Sequence, residues 1–349
     1  MRLAVIGAGS WGTTVAALGA RNASHVALWA RRPELAEILN SSGENPDYVH
    51  GLVLGPVVAT ARLDEALDGA DVVALAVPSH GFRSVLTAAA PFVPPDALLL
   101  SLAKGLEQGS LKRMTEVVAD VLPGHDAGRM GVLTGPNIAT EVAAGMPTAS
   151  VVAMGDETAA AAVQRLFMTD TFRVYTNPDV VGCEIAGVVK NVVALAAGIA
   201  QGLGVGDNAR AALITRGLAE LTRFGLALGG NPLSFLGLAG IGDIVVTCTS
   251  PRSRNRHVGE ALGRGRPLAD VLAAMKMVAE GVRSTAAVLD RAAAAGVEMP
   301  IAAQVQAVLD GARTPAAAVA SLMMREAKSE LEGLSYRGTP APGACSGDV

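Results

Sequence analysis

The chain has 349 residues and a formal net charge of −4, and half of its residues are hydrophobic although only 3% are aromatic. Because this length exceeds the usual size of one hydrophobic core, two domains are expected. The weak negative charge excludes a general attraction to nucleic acid or anionic lipid, and the many small aliphatic residues suit helices packed closely on a parallel sheet.

The sequence predicts neither a membrane span nor a disulfide or metal site. Its longest apolar stretch, residues 188–200, is interrupted by Lys190 and Asn191, and the N-terminus runs directly into a strand without a signal-peptide layout. The three cysteines and five histidines are scattered, with no C-x-x-C spacing. These features predict a protein of a reducing, cytoplasmic compartment.

The N-terminal segment reads as a strand, a glycine turn and a helix. An apolar strand at Arg2–Ile6 and an alanine-rich helix at 13–21 enclose a G-x-G-x-x-G motif formed by Gly7, Gly9 and Gly12. Glycines in this position allow a tight turn and close approach of the backbone to a pyrophosphate, and the helix N-terminus supplies N–H groups for the phosphates. The motif predicts a dinucleotide site.

Two arginines indicate which dinucleotide is bound. The second predicted strand, His25–Trp29, is followed by Arg31 and Arg32, where an NAD-selective site would place an acid on the ribose 2′-hydroxyl. The arginines favour the 2′-phosphate of NADPH. The alternative is a surface pair that merely precedes a helix beginning at Pro33.

Further apolar strands alternate with helices, which predicts a doubly wound sheet. Ligands of such sheets bind at the carboxyl ends of the strands, where Lys104 follows one strand, although a surface lysine in a loop is the alternative. Strands are predicted at 57–59, 72–77, 98–102, around Val132, at Thr148–Met154 and at 172–175, with helices at 138–144 and Glu157–Phe167.

After residue 177 the pattern changes to helices separated by glycine and proline, which places a domain boundary near residue 180. The predicted fold is α/β: an N-terminal doubly wound, Rossmann-type dinucleotide-binding domain at 1–180 and an all-α substrate domain at 181–334. A tail at 335–349 is predicted to be disordered. Helices of the second domain are predicted at 209–228, 255–263, 267–273, 284–295, 301–309 and 315–324.

Lys190 stands out in the first helix of the second domain. The surrounding valines and alanines of residues 182–206 cover nearly the whole helix circumference, as in a helix buried on all sides. Burial disfavours the charged form of a lysine, so a buried lysine can exchange a proton near neutral pH. The alternative is a lysine whose stem covers apolar surface while its ammonium reaches water.

Several motifs together carry a family resemblance. They are Gly7-Ala-Gly-Ser-Trp-Gly12, Lys104-Gly-Leu-Glu107, Gly135-Pro-Asn-Ile-Ala139, Lys190-Asn191, Leu213-Ile-Thr-Arg216-Gly217, Gly240-Ile-Gly-Asp243 and Ser253-Arg-Asn-Arg256. With these motifs the chain resembles the bacterial NAD(P)-dependent sn-glycerol-3-phosphate dehydrogenases from residue 2 to about 334. The resemblance implies interconversion of dihydroxyacetone phosphate and sn-glycerol 3-phosphate with NADPH or NADH, which feeds glycerophospholipid synthesis.

The resemblance also implies a role for each matching residue. Lys190 would be the proton donor and acceptor, while Lys104 and Arg254 would each meet both ligands. The residues implied to bind the cofactor are Gly7, Gly9, Ser10, Trp11, Gly12, Arg31, Arg32, Lys104, Ala139, Arg254, Val278 and Glu280. Those implied to bind the substrate are Lys104, Gly135, Asn137, Lys190, Asp243, Ser253, Arg254 and Asn255.

Two positions depart from the family pattern. Tyr48-Val-His-Gly51 stands where the family usually shows Tyr-Leu-Pro-Gly, which leaves the role of this loop open. Asn137 stands where many members carry serine, and it still supplies a hydrogen-bonding side chain.

The predicted chemistry explains why these residue types are needed. Hydride reduction of a ketone leaves an alkoxide, so the site needs a cation that stabilises the charge and donates a proton, and lysine can do both. The substrate phosphate needs an anion site, which residues 250–257 offer through hydroxyls, arginines and a helix start; a solvated loop is the alternative. Asp243 either caps a helix or orients Lys190 and binds a substrate hydroxyl.

Two other functions compete with this interpretation. A different hydroxy-acid dehydrogenase would need a carboxylate clamp in place of the extended Ser-Arg-Asn segment, and a dinucleotide-binding redox sensor would need no proton-transfer lysine. The expected partner is the small-molecule substrate, without nucleic acid or membrane insertion, and the sequence is compatible with a homodimer.

Overall fold

A computed structural model describes residues 1–275, 279–327 and 329–330 of the chain. Within these residues the strands are β1 (Arg2–Ile6), β2 (His25–Trp29), β3 (Val57–Thr60), β4 (Val72–Leu75), β5 (Leu98–Ser101), β6 (Met130–Thr134), β7 (Thr148–Met154) and β8 (Phe172–Asn177). They form one sheet in the order β3-β2-β1-β4-β5-β6-β7-β8.

Helices connect these strands and make up the regular structure described after β8. They are α1 (Ser10–Gly19), α2 (Pro33–Ser42), α3 (Leu63–Leu67), α4 (Ser79–Ala89), α5 (Met114–Val121), α6 (Ala139–Ala143), α7 (Glu157–Phe167), α8 (Val180–Leu203), α9 (Asp207–Ala227), α10 (Pro232–Phe235), α11 (Asp243–Thr249), α12 (Arg254–Gly263), α13 (Leu268–Ala273), α14 (Glu280–Ala294), α15 (Pro300–Leu309) and α16 (Pro315–Met323).

The sheet is covered by helices on both faces, as the apolar strands predict. In β1, Leu3 and Val5 belong to one hydrophobic cluster and Ala4 and Ile6 belong to another. Because successive side chains of a strand point to opposite faces, these clusters are the two cores on either side of the sheet. The strand order reverses next to β1, which pairs in parallel with both β2 and β4. The predicted doubly wound architecture is therefore confirmed.

One part of the sheet differs from a fully parallel arrangement. Strand β7 runs antiparallel to β6, while β8 is parallel to β7. The connection from β6 to β7 contains only the five-residue helix α6, whereas the longer helix α7 joins the parallel pair β7 and β8. A parallel connection needs a crossover, usually a helix that packs across the sheet, and α6 is too short for that role.

Helix α8 is the centre of the helical part, and every residue from Gly182 to Ala200 is buried. It packs against α9, α11, α12 and α14. The approach to α12 is close because glycines meet there: a Cβ on Gly198 would lie 2.1 Å from the carbonyl oxygen of Arg256, and one on Gly259 would lie 2.1 Å from that of Leu195. This contact brings the start of α12 beside the middle of α8.

The expectation that no apolar stretch reaches the length of a membrane span is wrong for α8. This helix has 24 residues. Its apolar 18-residue stretch has a mean hydropathy of 1.8, but 89% of that stretch is buried inside the protein. The segment Pro232–Thr249 also reaches that length, with 44% buried. A helix buried on all sides needs apolar residues around its whole circumference, so the composition of α8 is explained by its place in the core.

Helices α10 and α11 and a π-helical turn at Leu238–Gly242 are not predicted from the sequence. The chain coils through Gly240 and Gly242 directly into α11, the helix that the capping alternative for Asp243 would require. Two predictions, the cofactor contact of Val278 and the disordered tail at 335–349, lie outside the described residues.

Candidate active site

The glycine turn between β1 and α1 has the geometry that a dinucleotide requires. Gly7 has a φ of +117°, and a Cβ there would lie 2.7 Å from the carbonyl oxygen of Ala76. A Cβ on Gly9 would meet nothing within 4 Å, so the backbone borders open space at this position. Gly9 provides no side-chain cap for α1, whose first residues are Ser10 and Trp11. The positive end of the helix dipole therefore lies beside open space, where the sequence predicts that the phosphates of a dinucleotide bind.

Helix α6 packs against α1, the helix that follows the glycine turn. The hydroxyl of Thr14 on α1 donates to the carbonyl oxygen of Ser10 over 2.8 Å and lies 3.4 Å from the carbonyl oxygen of Ala139, the first residue of α6. The predicted cofactor residue Ala139 is thus held beside the helix that begins at the glycine turn.

At the end of β2, the two arginines have different surroundings. Arg31 is exposed, and Arg32 is the N-cap residue of α2. The Arg32 guanidinium forms an ion pair with Asp47, which comes from the loop after α2. The prediction that both arginines follow β2 is confirmed. The carboxylate partner of Arg32 is not predicted from the sequence.

Lys190 lies on the buried middle of α8, and its side chain is only 9% exposed. Its ammonium donates to Asp243 Oδ1 over 3.1 Å and to Thr247 Oγ1 over 2.9 Å, both on α11. These partners are buried, so the alternative in which the ammonium reaches bulk water is excluded. A buried ammonium is tolerated because it is paired with a carboxylate and hydrogen-bonded.

Lys104, just after β5, reaches the same carboxylate. Its ammonium donates to Gly135 O over 3.0 Å, to Asn137 Oδ1 over 2.9 Å and to Asp243 Oδ2 over 2.6 Å. Gly135 has a φ of +123°, a conformation that favours glycine and turns its carbonyl towards Lys104. All three donor positions of the ammonium are used, which excludes a surface lysine in a loop.

Asp243 thus lies between two ammonium groups and is almost fully buried. Burial raises the pKa of Asp243, but the charges of Lys104 and Lys190 outweigh burial and hold its pKa below the ordinary value. Burial, together with the nearby charges of Lys190 and Arg254, lowers the pKa of Lys104 to about 8 despite the contact with Asp243. Asp243 does not cap α11, since Gly242 occupies the cap position.

A chain of amide hydrogen bonds joins this cluster to α12 and α14. Asn191 Nδ2 donates to the carbonyl oxygen of Lys104 over 3.1 Å, and Asn255 Nδ2 donates to Asn191 Oδ1 over 2.8 Å. The backbone N–H of Gly281 then donates to Asn255 Oδ1 over 2.9 Å. The start of α12, where Ser253 accepts from the N–H of Arg256, is therefore fixed beside Lys190 and Lys104.

The three arginines of the predicted anion segment have different partners. Arg252 forms a 2.6 Å ion pair with Glu141 on α6, and Arg256 forms a 3.2 Å ion pair with Glu260 within α12. Burial lowers the pKa of Arg254, while the negative charge of Glu280 opposes that change. The charge of Arg254 also lowers the pKa of Lys104, so the two cations act on one another across the site.

Glu280, the first residue of α14, contacts the start of α4, which lies 201 residues earlier in the chain. Its Oε2 accepts a 3.0 Å hydrogen bond from the hydroxyl of Ser79, at the start of α4. Ser79 follows β4, so this bond connects the carboxyl end of a central strand to the helical part of the chain.

The structure adds three residues that the sequence interpretation does not assign. Thr247 lies one helical turn after Asp243 and bonds to both Asp243 and Lys190. Asn191 belongs to the Lys190-Asn191 motif, in which the resemblance implies a role only for Lys190, and no sequence pattern points to Asp47. The spacing of Thr247 from Asp243 would have been informative only if α11 had been recognised as a helix.

Two family models match the chain. The model described as the N-terminus of NAD-dependent glycerol-3-phosphate dehydrogenase matches residues 2–160. The model described as the C-terminus of the same enzyme matches residues 179–320.

Individual proteins are similar over nearly the whole length. The chain is 53% identical over 315 residues to a protein of Sphingopyxis alaskensis named glycerol-3-phosphate dehydrogenase (NAD(P)+) 2, covering 90% of this chain and 93% of the relative. It is 50% identical over 331 residues to a protein of Moorella thermoacetica named glycerol-3-phosphate dehydrogenase (NAD(P)+), covering 95% and 98%. The crystal structure of a glycerol-3-phosphate dehydrogenase from Coxiella burnetii matches with a TM-score of 0.88 and 38% identity, covering 93% and 99%.

Proposed function

The chain belongs to the NAD-dependent glycerol-3-phosphate dehydrogenase family, and we propose that Lys104, Asp243 and Lys190 are the centre at which it interconverts dihydroxyacetone phosphate and sn-glycerol 3-phosphate with NADPH or NADH. The observation that carries this proposal is one buried carboxylate shared by two ammonium groups, 2.6 Å and 3.1 Å away. The glycine turn after β1 and Lys104 after β5 both lie at the carboxyl ends of parallel strands, where ligands of such sheets bind.

The cofactor residues would come from both parts of the chain. Gly7, Gly9, Ser10, Trp11 and Gly12 would hold the pyrophosphate, and Arg31 and Arg32 would meet the adenosine ribose. Ala139, Lys104, Arg254 and Glu280 would contact the cofactor from the other side. When bound, the nicotinamide donates a hydride to the ketone or accepts one from the alcohol.

In the reducing direction, Lys190 donates the proton that the substrate oxygen requires. The ketone oxygen gains negative charge as its carbon is reduced, and the Lys190 ammonium both stabilises this charge and transfers a proton to it. Asp243 and Thr247 hold the lysine nitrogen in place. In the oxidising direction, neutral Lys190 accepts the hydroxyl proton, so alkaline pH favours that direction.

Lys104 supplies the second positive charge. Because two ammonium groups share one carboxylate, this buried cluster carries a net charge of about +1 when both lysines are protonated. An anionic substrate or a developing alkoxide compensates that charge, whereas a neutral ligand does not. Gly135 and Asn137 fix the position of Lys104 through its other two hydrogen bonds.

The substrate phosphate is assigned to the start of α12. Arg254 offers a guanidinium fork, and Ser253 and Asn255 lie on either side of it at the positive end of the helix dipole. Both neighbours are buried, so a phosphate there would be partly withdrawn from water. Binding energy from this non-reacting end of the substrate orients the ketone towards Lys190.

Three broader proposals follow. A dinucleotide-binding domain at 1–180 and a substrate domain at 181–334 are supported by the separate family models for residues 2–160 and 179–320. A cytoplasmic location is supported by Cys183 and Cys248, which are buried free thiols. The product would supply glycerophospholipid synthesis.

The proposed function is tested by following the oxidation of NADPH and NADH with dihydroxyacetone phosphate, dihydroxyacetone and a 2-oxo acid. Rapid turnover with the phosphorylated ketone alone is the expected result. Preference for the 2-oxo acid would favour the alternative hydroxy-acid dehydrogenase, and cofactor binding without turnover would favour the redox sensor.

A further inference from the structure

The carboxylate of Asp47 contacts one of the two arginines that follow β2. Strand β2 ends at Trp29, and the NAD-type acid expected at its end is replaced by arginine. Asp47 nevertheless reaches this place from the loop after α2 and forms an ion pair with the Arg32 guanidinium. The side chains are 43% and 58% exposed, so solvent and a ligand can both reach the pair.

The loop that carries Asp47 is anchored to the glycine turn rather than hanging free of it. Asn45 is 1% exposed, and its Nδ2 donates to the carbonyl oxygen of Ala8 over 3.1 Å and to Thr13 Oγ1 over 2.8 Å. The Oδ1 of the same side chain accepts from the backbone N–H of Asp47 over 3.1 Å. Asp47 is therefore built into the same corner of the fold as the pyrophosphate turn.

The chemistry of the two cofactors differs at this corner. NADH presents a ribose 2′-hydroxyl, which a carboxylate can accept as a hydrogen bond. NADPH presents a 2′-phosphate with a charge of about −2, which attracts Arg31 and Arg32 but is repelled by Asp47. To bind this phosphate, Arg32 must divide its guanidinium between two anions or leave Asp47.

We propose that Asp47 is a specificity-determining residue that lowers the preference for NADPH and supports the binding of NADH. It does so by competing with the 2′-phosphate for Arg32 and by offering an acceptor to the ribose hydroxyl. This inference rests on the proposed assignment of Arg31 and Arg32 to the adenosine ribose. It gives the chain a means of using both cofactors although residues 30–32, directly after β2, contain no acid.

The test is Asp47→Asn, which keeps the size of the side chain and removes its charge. Dissociation constants for NADPH and NADH are measured from the fluorescence of the reduced nicotinamide without substrate, and kcat/KM is measured for both cofactors. We expect the ratio of the NADH to the NADPH dissociation constant to rise about 3- to 10-fold at low salt, and less at high salt, because exposed charge pairs are screened.

A matched control is Asp68→Asn. Asp68 is also an exposed aspartate paired with an arginine. Its partner Arg2 is the first residue of β1, whereas the glycine turn follows the last residue of that strand. The loss of the Asp68 charge is expected to leave the ratio of dissociation constants unchanged. An equal rise in the ratio for both variants would overturn the proposal, because a general charge effect would then explain it.

Arg31→Ala and Arg32→Ala distinguish the inference from the function on which it rests. If Arg32→Ala weakens NADPH binding while Asp47→Asn leaves the ratio unchanged, Asp47 has no part in selection although the arginine assignment stands. If neither arginine variant changes the ratio, the assignment of the pair fails, and the role of Asp47 fails with it. The expected result is a smaller effect of Asp47→Asn in the Arg32→Ala background, because the two residues act through one contact.

Discussion

Helix α8 carries two buried charges, Glu184 and Lys190, whose surroundings differ. The Glu184 carboxylate accepts hydrogen bonds from Arg113 Nη1 over 2.6 Å and from the N–H of Thr115 over 3.0 Å, and it also accepts one from the Thr115 hydroxyl. Lys190 instead shares its carboxylate partner, Asp243, with a second ammonium. One carboxylate is thus surrounded by donors, and the other is divided between two cations.

The difference matches the two roles that we propose, a structural role for Glu184 and a catalytic role for Lys190. Burial raises the pKa of Glu184, while Arg113 and Thr115 oppose that change and compensate the charge at the start of α5. The ion pair of Arg113 with Glu184 therefore joins the start of α5 to α8, and its two charges cancel. The cluster around Lys190 retains a positive charge when both lysines are protonated, and in the proposed function an anionic substrate compensates that charge.

The largest stability effect is expected for Glu184→Ala. It removes the 2.6 Å partner of the Arg113 guanidinium and leaves only the 3.4 Å contact with Glu116, so the loss should be about 3 kcal/mol, the low end of the cost of breaking a buried pair. Chemical denaturation should show this loss, while kcat of the folded fraction stays close to that of the wild type. Glu298→Ala, which removes an exposed carboxylate paired with Arg325, is the control and should change stability little. Full stability of Glu184→Ala would contradict the structural role.

Arg254→Ala is expected to produce the next largest effect, on the phosphate end of the substrate. The value of kcat/KM for dihydroxyacetone phosphate should fall by roughly 10², because charge-assisted bonds to the dianion are lost, and the low rate with dihydroxyacetone should change much less. NADPH affinity is measured on the same variant. Equal losses with both ketones would show that Arg254 is not the phosphate anchor.

The smallest of these effects concerns pH. Since the pKa of Lys104 is about 8, its ammonium loses its proton above that pH, and kcat/KM for dihydroxyacetone phosphate should fall about tenfold per pH unit above 8 if the charge is required. The folded value lies below the ordinary lysine pKa. Stability is therefore lowered while Lys104 is charged, and it recovers as pH rises from about 8 towards the ordinary lysine pKa of 10.5. A profile that stays flat from pH 7 to 9 would show that the charge of Lys104 is not needed for binding.

The sequence predicts well what depends on local pattern. The bounds of β1, β2, β7 and α7 agree with the structure, and the glycine turn and the buried helix around Lys190 lie where the pattern indicates. Each of these features is encoded within one short segment, by alternating or helical periodicity or by glycines at fixed spacing.

The contacts of the site depend on tertiary packing and are not visible in that pattern. Lys104 and Lys190 meet at Asp243 from 139 and 53 residues away. The ion pair between Arg32 and Asp47 depends on the loop after α2, which Asn45 attaches to the glycine turn. The glycines before Asp243 carry no helical pattern, whereas packing coils them into a π-helical turn that leads into α11.

The most direct test of the central claim is single-turnover reduction of dihydroxyacetone phosphate by NADPH in the wild type and in Lys190→Met. Methionine keeps the apolar stem of the side chain and removes the ammonium, so folding and the dissociation constant for NADPH should persist. Hydride transfer should slow by roughly 10² to 10⁴, the usual contribution of a general acid. A Lys190→Met enzyme that binds NADPH normally and keeps more than about a tenth of the wild-type rate would contradict the assignment of proton transfer to Lys190.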